Sequence, residues 1–436
     1  MKMTKHLDYQ KRFDSFSNYE LYQNLEKESR NAIKDIGMKY QLTYQELRQL
    51  TDMAVDFVMW DETSIGKQWN NEEKSIQHSD QLAKKKILGS IYNNWEKLKE
   101  NATNYDSNGS KREYKTEGRK LKTINGDNAV FGMCPVASEK TVCCNLRTID
   151  VAQGCGLGCS YCSIQTFYEG GTISVEDNLA DKLAAIELDP NKNYHIGSGQ
   201  SSDSLALGNK NGILDAQLDF ARNNPNIILE FKTKSKNIGY LLQAAVPRNI
   251  FVSWSLNPQL FIDHEEARTA TIEQRLQAAR QLADAGILVG FHFHPIVYYS
   301  GWDADYYDLV KRLMAMFSVN EVGLISFGTL TFIKPAIKAL RKGSMRSKIL
   351  QMPFADAAGK ISYPMETKKK IFSVVWNTFQ PWHDEVFFYF CMEDRQVWES
   401  VFGRCYETND DFEKDLFNNV SNKLQIKSEL LISQIN

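Results

Sequence analysis

The chain has 436 residues, a formal net charge of −2 and 42% apolar residues. This length suggests two or three domains, and the apolar fraction is large enough for a sizeable core. The near-neutral charge argues against a protein that coats nucleic acid by bulk charge, although it leaves room for a local basic site. No stretch approaches the roughly 20 apolar residues of a membrane span, and the N-terminus lacks the apolar segment of a signal peptide. These features predict a soluble cytoplasmic protein without a membrane partner.

The first hundred residues are predicted to be helical. Thr43 and Glu46 form a capping box, and apolar residues follow it at helical spacing. Residues 101–128 are polar and lack apolar periodicity, which indicates a linker. Its basic side chains fit either a phosphate-binding segment or a solvated surface, and they are Lys111, Arg112, Lys115, Arg119, Lys120 and Lys122. We therefore predict a helical N-terminal domain with a basic linker over residues 1–125.

From about residue 145, short β-rich runs alternate with helical segments. The runs cover residues 147–152, 194–198, 227–233, 250–256, 288–297, 322–329 and 386–392. One of the helices between them begins at a second capping box, Thr271 with Gln274, and ends at Gly286. Strand–helix alternation predicts parallel strands with crossover helices. The predicted fold is α/β: a complete or partial (β/α) barrel over residues 126–403, followed by a C-terminal helical segment over residues 404–436.

Three of the eight cysteines lie together in the loop that follows the first of these strands. They are Cys155, Cys159 and Cys162, and in a reducing compartment such a group predicts metal binding rather than disulfides. Three thiolates on a four-iron cluster leave one iron open for S-adenosylmethionine. Glycines among the cysteines let the backbone wrap a cluster, and the position is the rim where barrel active sites form.

The Cys-x3-Cys-x2-Cys spacing, with Tyr161 just before the third cysteine, is the signature of radical S-adenosylmethionine enzymes. It predicts a [4Fe–4S] cluster and S-adenosylmethionine as cofactors. A structural zinc site is the alternative, because Cys143 or Cys144 would supply a fourth ligand. Together with Cys134, these two cysteines bind a second cluster, shield the first cluster, or are buried thiols on the strand that enters the site.

Beyond this signature, the chain resembles the spore photoproduct lyase family over roughly residues 140–345. The resemblance is carried by Cys-Ser-Tyr-Cys-Ser-Ile-Gln-Thr at 159–166, Gln-Ser-Ser-Asp at 200–203, Phe-Lys-Thr-Lys at 231–234, Ser-Trp-Ser-Leu-Asn at 253–257 and Gly-Phe-His-Phe-His-Pro at 290–295. It implies that Ser202, Lys234 and Ser255 contact S-adenosylmethionine. It also implies a radical reaction on a DNA photoproduct.

Two positions depart from the family pattern. In the lyases, a cysteine at the position of Gln200 returns a hydrogen atom to the product radical, and a tyrosine at the position of Ser163 joins that relay. Here Tyr161 remains as a candidate catalytic side chain beside Gln200. The hairpin with which the lyases grip DNA corresponds to residues 354–363, where Lys360 is the one positive charge. The resemblance therefore supports radical generation by this chain more strongly than it supports thymine-dimer repair.

Other polar residues keep two interpretations open. His292 and His294 alternate with phenylalanines, so on a barrel strand they point inward, where they either touch substrate or form hydrogen bonds in the core. A basic stretch either holds phosphates or is a solvated helix face, and it comprises Lys334, Lys338, Arg341, Lys342, Arg346 and Lys348.

The expected function is reductive cleavage of S-adenosylmethionine followed by hydrogen abstraction from a substrate, in the manner of a DNA photoproduct lyase. The expected partners are a reductant such as flavodoxin or ferredoxin and, as substrate, DNA or another nucleic acid. One alternative is a radical enzyme acting on a nucleotide, tRNA or another small molecule. The other is a nucleic-acid-binding protein with a structural iron–sulfur cluster. Turnover of S-adenosylmethionine separates the enzymes from the binding protein.

Overall fold

The computed structural model describes residues 2–76, 81–105, 120–126, 129–134, 141–167, 171–343, 346–357 and 359–435. Its helices are α1 Lys2–Phe16, α2 Glu20–Asn24, α3 Lys27–Tyr40, α4 Tyr44–Met59, α5 Ile65–Lys74, α6 Gln81–Lys97, α7 Leu179–Ala184, α8 Ile213–Asn223, α9 Gln259–Glu265, α10 Ile272–Asp284, α11 Trp302–Met316, α12 Lys334–Lys342, α13 Met365–Thr378, α14 Arg395–Phe402 and α15 Asn409–Ile435. Among the described helices, none is both long and apolar enough to cross a membrane.

The strands are β1 Lys120–Ile124, β2 Phe131–Met133, β3 Arg147–Ile149, β4 Ala152–Gln153, β5 Thr172–Glu176, β6 Tyr194–Ser198, β7 Ile227–Thr233, β8 Ile250–Ser255, β9 Leu288–Ile296, β10 Val322–Thr329, β11 Thr331–Phe332, β12 Ala355–Ala357, β13 Lys360–Ser362 and β14 Phe387–Phe390. The run predicted at 147–152 is two strands, because the chain leaves the main sheet after Ile149 and β4 pairs with β5 instead.

The chain divides into two compact units. One comprises residues 1–112 with 332–354, and the other comprises residues 113–331 with 355–436. The segment that carries α12 thus leaves the second unit and packs with the N-terminal helices. The division at residues 125 and 403 that the sequence suggested stays a prediction about independently folding domains.

The first unit is an arrangement of helices around a buried ion pair. Thr43 and Glu46 form the predicted capping box at the start of α4.

The fully buried carboxylate of Asp56 accepts hydrogen bonds from Nε and Nη2 of Arg341, at 2.8 and 2.6 Å. Trp95 Nε1 donates to the same carboxylate at 3.0 Å. Such a bidentate contact satisfies a buried charge that would otherwise be costly.

Four of the six basic residues in the stretch 334–348 form contacts within this first unit. Besides Arg341, Lys342 forms an ion pair with Glu20, and Arg346 forms one with Asp61. Lys348 Nζ donates to the carbonyl oxygen of Asn104 at 3.0 Å. These contacts favour a structural role over phosphate binding. The linker residues Lys111, Arg112, Lys115 and Arg119 lie outside the described residues.

The second unit is built on an eight-stranded sheet with the order β14-β10-β9-β8-β7-β6-β3-β2. All neighbours are parallel except β2, which runs antiparallel to β3 at the edge. Among the described strands the sheet is open, with β14 and β2 as its two edges, so the barrel is partial. Parallel strands put all their carboxyl ends on one side, and this rim carries the polar loops.

The strands of this partial barrel alternate between an outward apolar face and an inward polar face. On β9, the outward Phe291 contacts Phe317 and the outward Phe293 contacts Tyr306. The inward residues at the neighbouring positions are His292 and His294, as predicted. The helix α10 that covers this face has the predicted capping box at Thr271. The wall of the barrel is therefore apolar outside, whereas its interior carries groups suited to chemistry.

Candidate active site

The eight residues singled out from the sequence for catalysis, cofactor binding or cluster binding line one cavity of about 210 Å³ at the carboxyl ends of the strands. They are Cys155, Cys159, Tyr161, Cys162, Gln200, Ser202, Lys234 and Ser255. They come from four places in the chain: the loop after β4, the loop after β6, the end of β7 and the end of β8. Because the strands are parallel, their ends meet at one rim and bring these distant segments together. The roles assigned to the individual side chains remain proposals.

The cysteine loop needs glycine at two positions. Gly154 has φ +87°, and a Cβ atom there would lie 2.8 Å from the carbonyl oxygen of Thr172 on β5. Gly158 has φ +68°, between the first two cysteines. Both conformations are in the left-handed region, which side chains other than glycine rarely adopt. The glycines predicted to let the loop wrap a cluster thus have the required backbone geometry.

A second segment of chain holds the cysteine loop in place. Cys159 forms an isolated antiparallel bridge with Glu266, just after α9. The amide of Ser160 donates to the carbonyl oxygen of Glu265 at 2.9 Å, and the amide of Arg268 donates to that of Leu157 at 3.0 Å. These backbone contacts fix the loop more firmly than side-chain contacts alone would.

Behind the loop lies a buried ion pair that the sequence reasoning missed. Arg275 on α10 contacts the carboxylate of Glu266, and both side chains are fully buried. The same guanidinium donates to the carbonyl oxygens of Ser255 at 2.7 Å and Ala270 at 2.9 Å. One side chain therefore connects the end of β8, the turn before α10 and the residue that pairs with Cys159.

Tyr161 is tied to this ion pair. Its hydroxyl donates to Glu266, and its ring stacks on Phe261 with the centroids 5.7 Å apart. The ammonium group of Lys234 lies 5.7 Å from the centre of the Tyr161 ring. Burial, followed by the charge of Glu266, raises the pKa of Tyr161 well above its usual value, so the phenol stays protonated. The tyrosine is thus positioned between a carboxylate and a lysine at the cavity wall.

Asp203 organises the loop after β6. Its carboxylate accepts hydrogen bonds from Thr233 Oγ1 at 2.7 Å and from the amide of Lys234 at 2.7 Å. It also accepts bonds from the amides of Leu205 and Ala206. The buried Ser202 Oγ beside it has no hydrogen-bond partner among the described residues. A buried hydroxyl without a partner at a cavity wall suits a polar ligand.

Lys234 keeps its positive charge in this site. Burial alone lowers the pKa of an ammonium group, but the neighbouring Cys159 and Glu266 outweigh it, and the pKa of Lys234 is raised. The lysine therefore remains a cation that a carboxylate can bind. This fits the contact with the cofactor carboxylate that the resemblance implies for it.

The three loop cysteines suit a cluster. Burial is the largest cause that raises the pKa of Cys155, to about 12, and that of Cys159, and the nearby charge of Lys234 opposes it without overcoming it, so both are thiols. A bound metal cluster would supply further positive charge and would ligate the thiolates. Among the described residues, no three His, Cys, Asp or Glu side chains converge on a point that a single metal ion would occupy. Ligands of a four-iron cluster bind different irons and need not converge.

Gln200 has a neighbour that the sequence reasoning did not link to it. Its Nε2 donates to Cys134 Sγ at 3.6 Å, across 66 positions of sequence. Cys134, Cys143 and Cys391 are close enough together for Cys134 and Cys143 to affect the pKa of Cys391. Cys391 directly follows β14 rather than lying inside the strand, and its amide donates to the carbonyl oxygen of Phe327. Cys134 follows β2 and Cys391 follows β14, the two edges of the described sheet, and a backbone bridge between Val142 and Glu393 joins the segments that continue from these edges.

The inward histidines belong to a buried chain of hydrogen bonds. Glu230 on β7 contacts His195 Nε2 at 2.9 Å through one oxygen and His292 Nε2 at 2.5 Å through the other. Ser326 Oγ lies 2.5 Å from His292 Nδ1 and 3.0 Å from His294 Nε2. Burial, together with the charge of Lys232, lowers the pKa of His292 to about 4. Of the two interpretations of His292, the geometry favours hydrogen bonding in the core.

A comparison with protein-family models decides the relationship. The model of spore photoproduct lyase matches residues 139–361, slightly more than half of the chain. The chain belongs to the spore photoproduct lyase family. This family is one of radical S-adenosylmethionine enzymes, which use a [4Fe–4S] cluster and S-adenosylmethionine. The matched region includes every candidate site residue named above and excludes Cys134.

Three curated lyases of this family resemble the chain. Those of Geobacillus sp. (strain Y412MC61) and Bacillus subtilis (strain 168) are each 26% identical to it, over 208 and 210 residues. The lyase of Clostridium acetobutylicum is 26% identical over 171 residues. The alignments cover 46%, 46% and 38% of this chain, and 61%, 61% and 50% of the respective relatives. The chain thus matches less than two thirds of the length of each lyase.

Solved structures of spore photoproduct lyase share the fold. A mutant lyase with dinucleoside spore photoproduct superimposes with a TM-score of 0.54 and 23% identity. A second mutant, with bound AdoMet and the same dinucleoside, gives a TM-score of 0.53 and 23% identity. Each match covers 62% of this chain and 82% of the solved chain. The fold match thus extends well beyond the cysteine loop.

Proposed function

We propose that this chain is a radical S-adenosylmethionine enzyme that acts on a damaged nucleic acid in the manner of a spore photoproduct lyase. One observation carries the proposal: the three loop cysteines and the candidate cofactor contacts line one cavity. Cys155, Cys159 and Cys162 would hold a [4Fe–4S] cluster. When bound, the cluster and S-adenosylmethionine supply a 5′-deoxyadenosyl radical that takes a hydrogen atom from the substrate.

The chain's own residues would bind and orient the cofactor. The ammonium group of Lys234 suits the carboxylate of S-adenosylmethionine, because a charge-assisted contact in a water-poor cavity is strong. The hydroxyl of Ser202, which has no hydrogen-bond partner among the described residues, suits a further polar group of that ligand. Ser255 lies at the end of β8, and its carbonyl oxygen accepts a hydrogen bond from Arg275. The positioned Tyr161 would form part of the wall nearest the third cysteine.

The proposed substrate is a photoproduct in DNA or in a nucleotide. The family match and the solved lyases bound to dinucleoside spore photoproduct support this choice. Residues of the segment that resembles the DNA-gripping hairpin form β12 and β13, an antiparallel pair. Lys360 is the one cation in residues 354–363. A weak grip on duplex DNA is expected from so little positive charge, because phosphate contacts dominate DNA affinity.

Two further elements of the proposal concern the surroundings of the enzyme. The cluster needs a one-electron reductant, for which a flavodoxin or ferredoxin is suited by potential. The described cysteines of the loop form no disulfide, which suits the reducing cytoplasm. Both follow from the proposed chemistry.

A second candidate function is a radical reaction on a free nucleotide, tRNA or another small molecule. It is favoured by Gln200 and Ser163, which stand where the lyases have the hydrogen-donating cysteine and its tyrosine partner. A nucleic-acid-binding protein with a structural cluster is a third candidate. It would leave S-adenosylmethionine intact.

The decisive experiment is anaerobic reconstitution followed by reduction with dithionite in the presence of S-adenosylmethionine. Formation of 5′-deoxyadenosine would support a radical enzyme, and none would be expected from a binding protein. Deuterated dinucleoside spore photoproduct and deuterated nucleosides are then supplied separately. Transfer of deuterium into 5′-deoxyadenosine identifies the substrate class, and transfer from the nucleosides alone would contradict the lyase proposal.

A further inference from the structure

Lys232 is an interior cation that the cofactor chemistry does not use. On β7, the charged residues Glu230 and Lys232 alternate with the fully buried Leu229 and Phe231. Side chains two positions apart on a strand share a face, so Glu230 and Lys232 both point into the barrel. Lys232 lines the same cavity as the cysteine loop. Lys232 is only half-buried, so an anionic ligand that enters the cavity can reach its ammonium group.

Within the described residues, the Lys232 side chain has no hydrogen bond or ion pair, and the nearby carboxylates are already engaged. Glu230 contacts His195, His292 and Ser253. Asp203, the acidic residue that lines the cavity, accepts hydrogen bonds from Thr233 and from three backbone amides. Neither carboxylate has been left free for the lysine.

Three other titratable groups close to Lys232 are neutral at pH 7: His292, His294 and Cys391. Burial, and after it the charge of Lys232, lowers the pKa of His292 to about 4 and that of His294 well below its usual value. Burial raises the pKa of Cys391 to about 12, which leaves a thiol rather than a thiolate. None of these groups offsets the positive charge.

Space for a ligand exists beside the lysine. On β8, the residue paired with Lys232 is Ser253, which has a small side chain. Lys232 itself lines the cavity of about 210 Å³, so a ligand in the cavity can reach it. Lys234 lies one strand repeat further along β7, roughly 7 Å away. The two lysines can therefore contact two different anionic groups.

We propose that Lys232 binds an anionic group of the substrate inside the cavity, separately from the cofactor contact at Lys234. The inference rests on the proposed function, which makes that group a phosphodiester between the two nucleosides of a photoproduct. The chain would then prefer a lesion dinucleotide with its bridging phosphate to a dinucleoside without one. This would make Lys232 a specificity residue rather than a general DNA contact.

The test measures binding to the reconstituted protein in the presence of S-adenosylmethionine, without reductant. The probes are the spore photoproduct dinucleotide, the dinucleoside that lacks the phosphate, and inorganic phosphate. Lys232→Met should weaken binding of the dinucleotide by about tenfold and leave the dinucleoside unchanged. Lys232→Arg should retain much of the preference. The control, Lys236→Met, removes an exposed lysine four positions further on and should change neither affinity.

Three results would overturn the inference: equal affinity of the wild type for both lesion probes, an equal loss of both in Lys232→Met, or no wild-type binding of either probe. Inorganic phosphate that competes with the dinucleotide in wild type and not in Lys232→Met would support it. If Lys232→Met loses both this competition and the preference for the dinucleotide, the two losses together identify a phosphate site. Cleavage of S-adenosylmethionine to 5′-deoxyadenosine, measured without substrate, reports on the proposed function independently. An active protein without phosphate preference thus refutes the inference alone.

Discussion

Replacing Arg275 by methionine should destabilise the second unit and loosen the cysteine loop. Arg275 is fully buried, and its guanidinium holds Glu266 and two backbone carbonyl oxygens. Methionine fills a similar volume without the charge, so the buried Glu266 carboxylate loses its principal partner. Breaking a buried ion pair in this way costs about 3–5 kcal/mol.

The protonation of Glu266 adds a dependence of stability on pH. Burial favours the neutral acid, but Arg275 and then Lys234 overcome it and lower the pKa of Glu266 from 4.5 to about 2. That difference corresponds to about 3 kcal/mol. Because the folded pKa is the lower one, the stabilisation is complete above about pH 5 and is lost as the pH falls towards 2. In Arg275→Met, this dependence on acid should be largely absent.

The assay is urea unfolding of the cluster-free protein under reducing conditions at pH 7 and pH 4, with hydrogen exchange of residues 155–162 as a local measurement. Arg312→Met is the matched control, since the Arg312–Glu273 pair is substantially exposed, at 39% and 54%. It should cost less than about 1 kcal/mol. Adding Glu266→Gln to Arg275→Met should restore part of the loss, because no unpaired charge then remains. An Arg275→Met protein no less stable than the control would refute the reasoning.

Two other predictions concern the cofactors. Reconstituted wild type should bind about four irons per chain. After reduction it should give a paramagnetic signal that changes when S-adenosylmethionine is added. Replacing Cys155, Cys159 and Cys162 together by alanine should abolish both results, and a wild type that binds one zinc and no iron would contradict the predicted cluster. Lys234→Ala should weaken S-adenosylmethionine binding by about tenfold with unchanged iron content. Calorimetry should show full affinity in the control Lys236→Ala, and full affinity in Lys234→Ala would remove that lysine from the cofactor site.

The fold was predictable where the signals are local. Strand–helix alternation predicts the parallel sheet, and hydroxyl residues three positions before Glu46 and Gln274 predict two helix starts that the structure confirms. Each of these signals acts over a few residues. The return of residues 332–354 to the N-terminal helices was not predictable, because the partner of Arg341 is Asp56, 285 positions earlier.

The identities of the candidate site residues could be predicted from the sequence, but the tertiary contacts that hold them could not. The cysteine spacing marks the loop, and the family pattern marks Ser202, Lys234 and Ser255. Arg275 was missed because its carboxylate partner is set by tertiary packing. A usable signal existed for Lys232: charged residues alternate along a strand whose other members are apolar, which is unusual for a strand buried on both faces.

The last prediction concerns the hydrogen atom that ends a lyase cycle. After fragmentation, the product radical must be quenched, and a thiol suits this step because its S–H bond is weak. The cavity presents Gln200 instead, which has only strong N–H bonds, and Ser163 cannot relay a hydrogen atom as a phenol can. We therefore expect wild type to cleave S-adenosylmethionine without efficient repair of spore photoproduct, and any opened lesion to give aberrant adducts.

The paired substitution Gln200→Cys with Ser163→Tyr should move the products towards clean thymines, as measured by chromatography of the digested lesion; Ser163→Tyr alone is the control and should not. Stoichiometric, clean thymine recovery by wild type would contradict this expectation and would require another thiol. The contact of Gln200 with Cys134 Sγ at 3.6 Å makes Cys134 the first candidate, ahead of Cys143 and Cys144. In that case, one solvent deuterium should enter each repaired thymine in heavy water, and Cys134→Ser should remove it, because the exchangeable S–H hydrogen would be the one delivered.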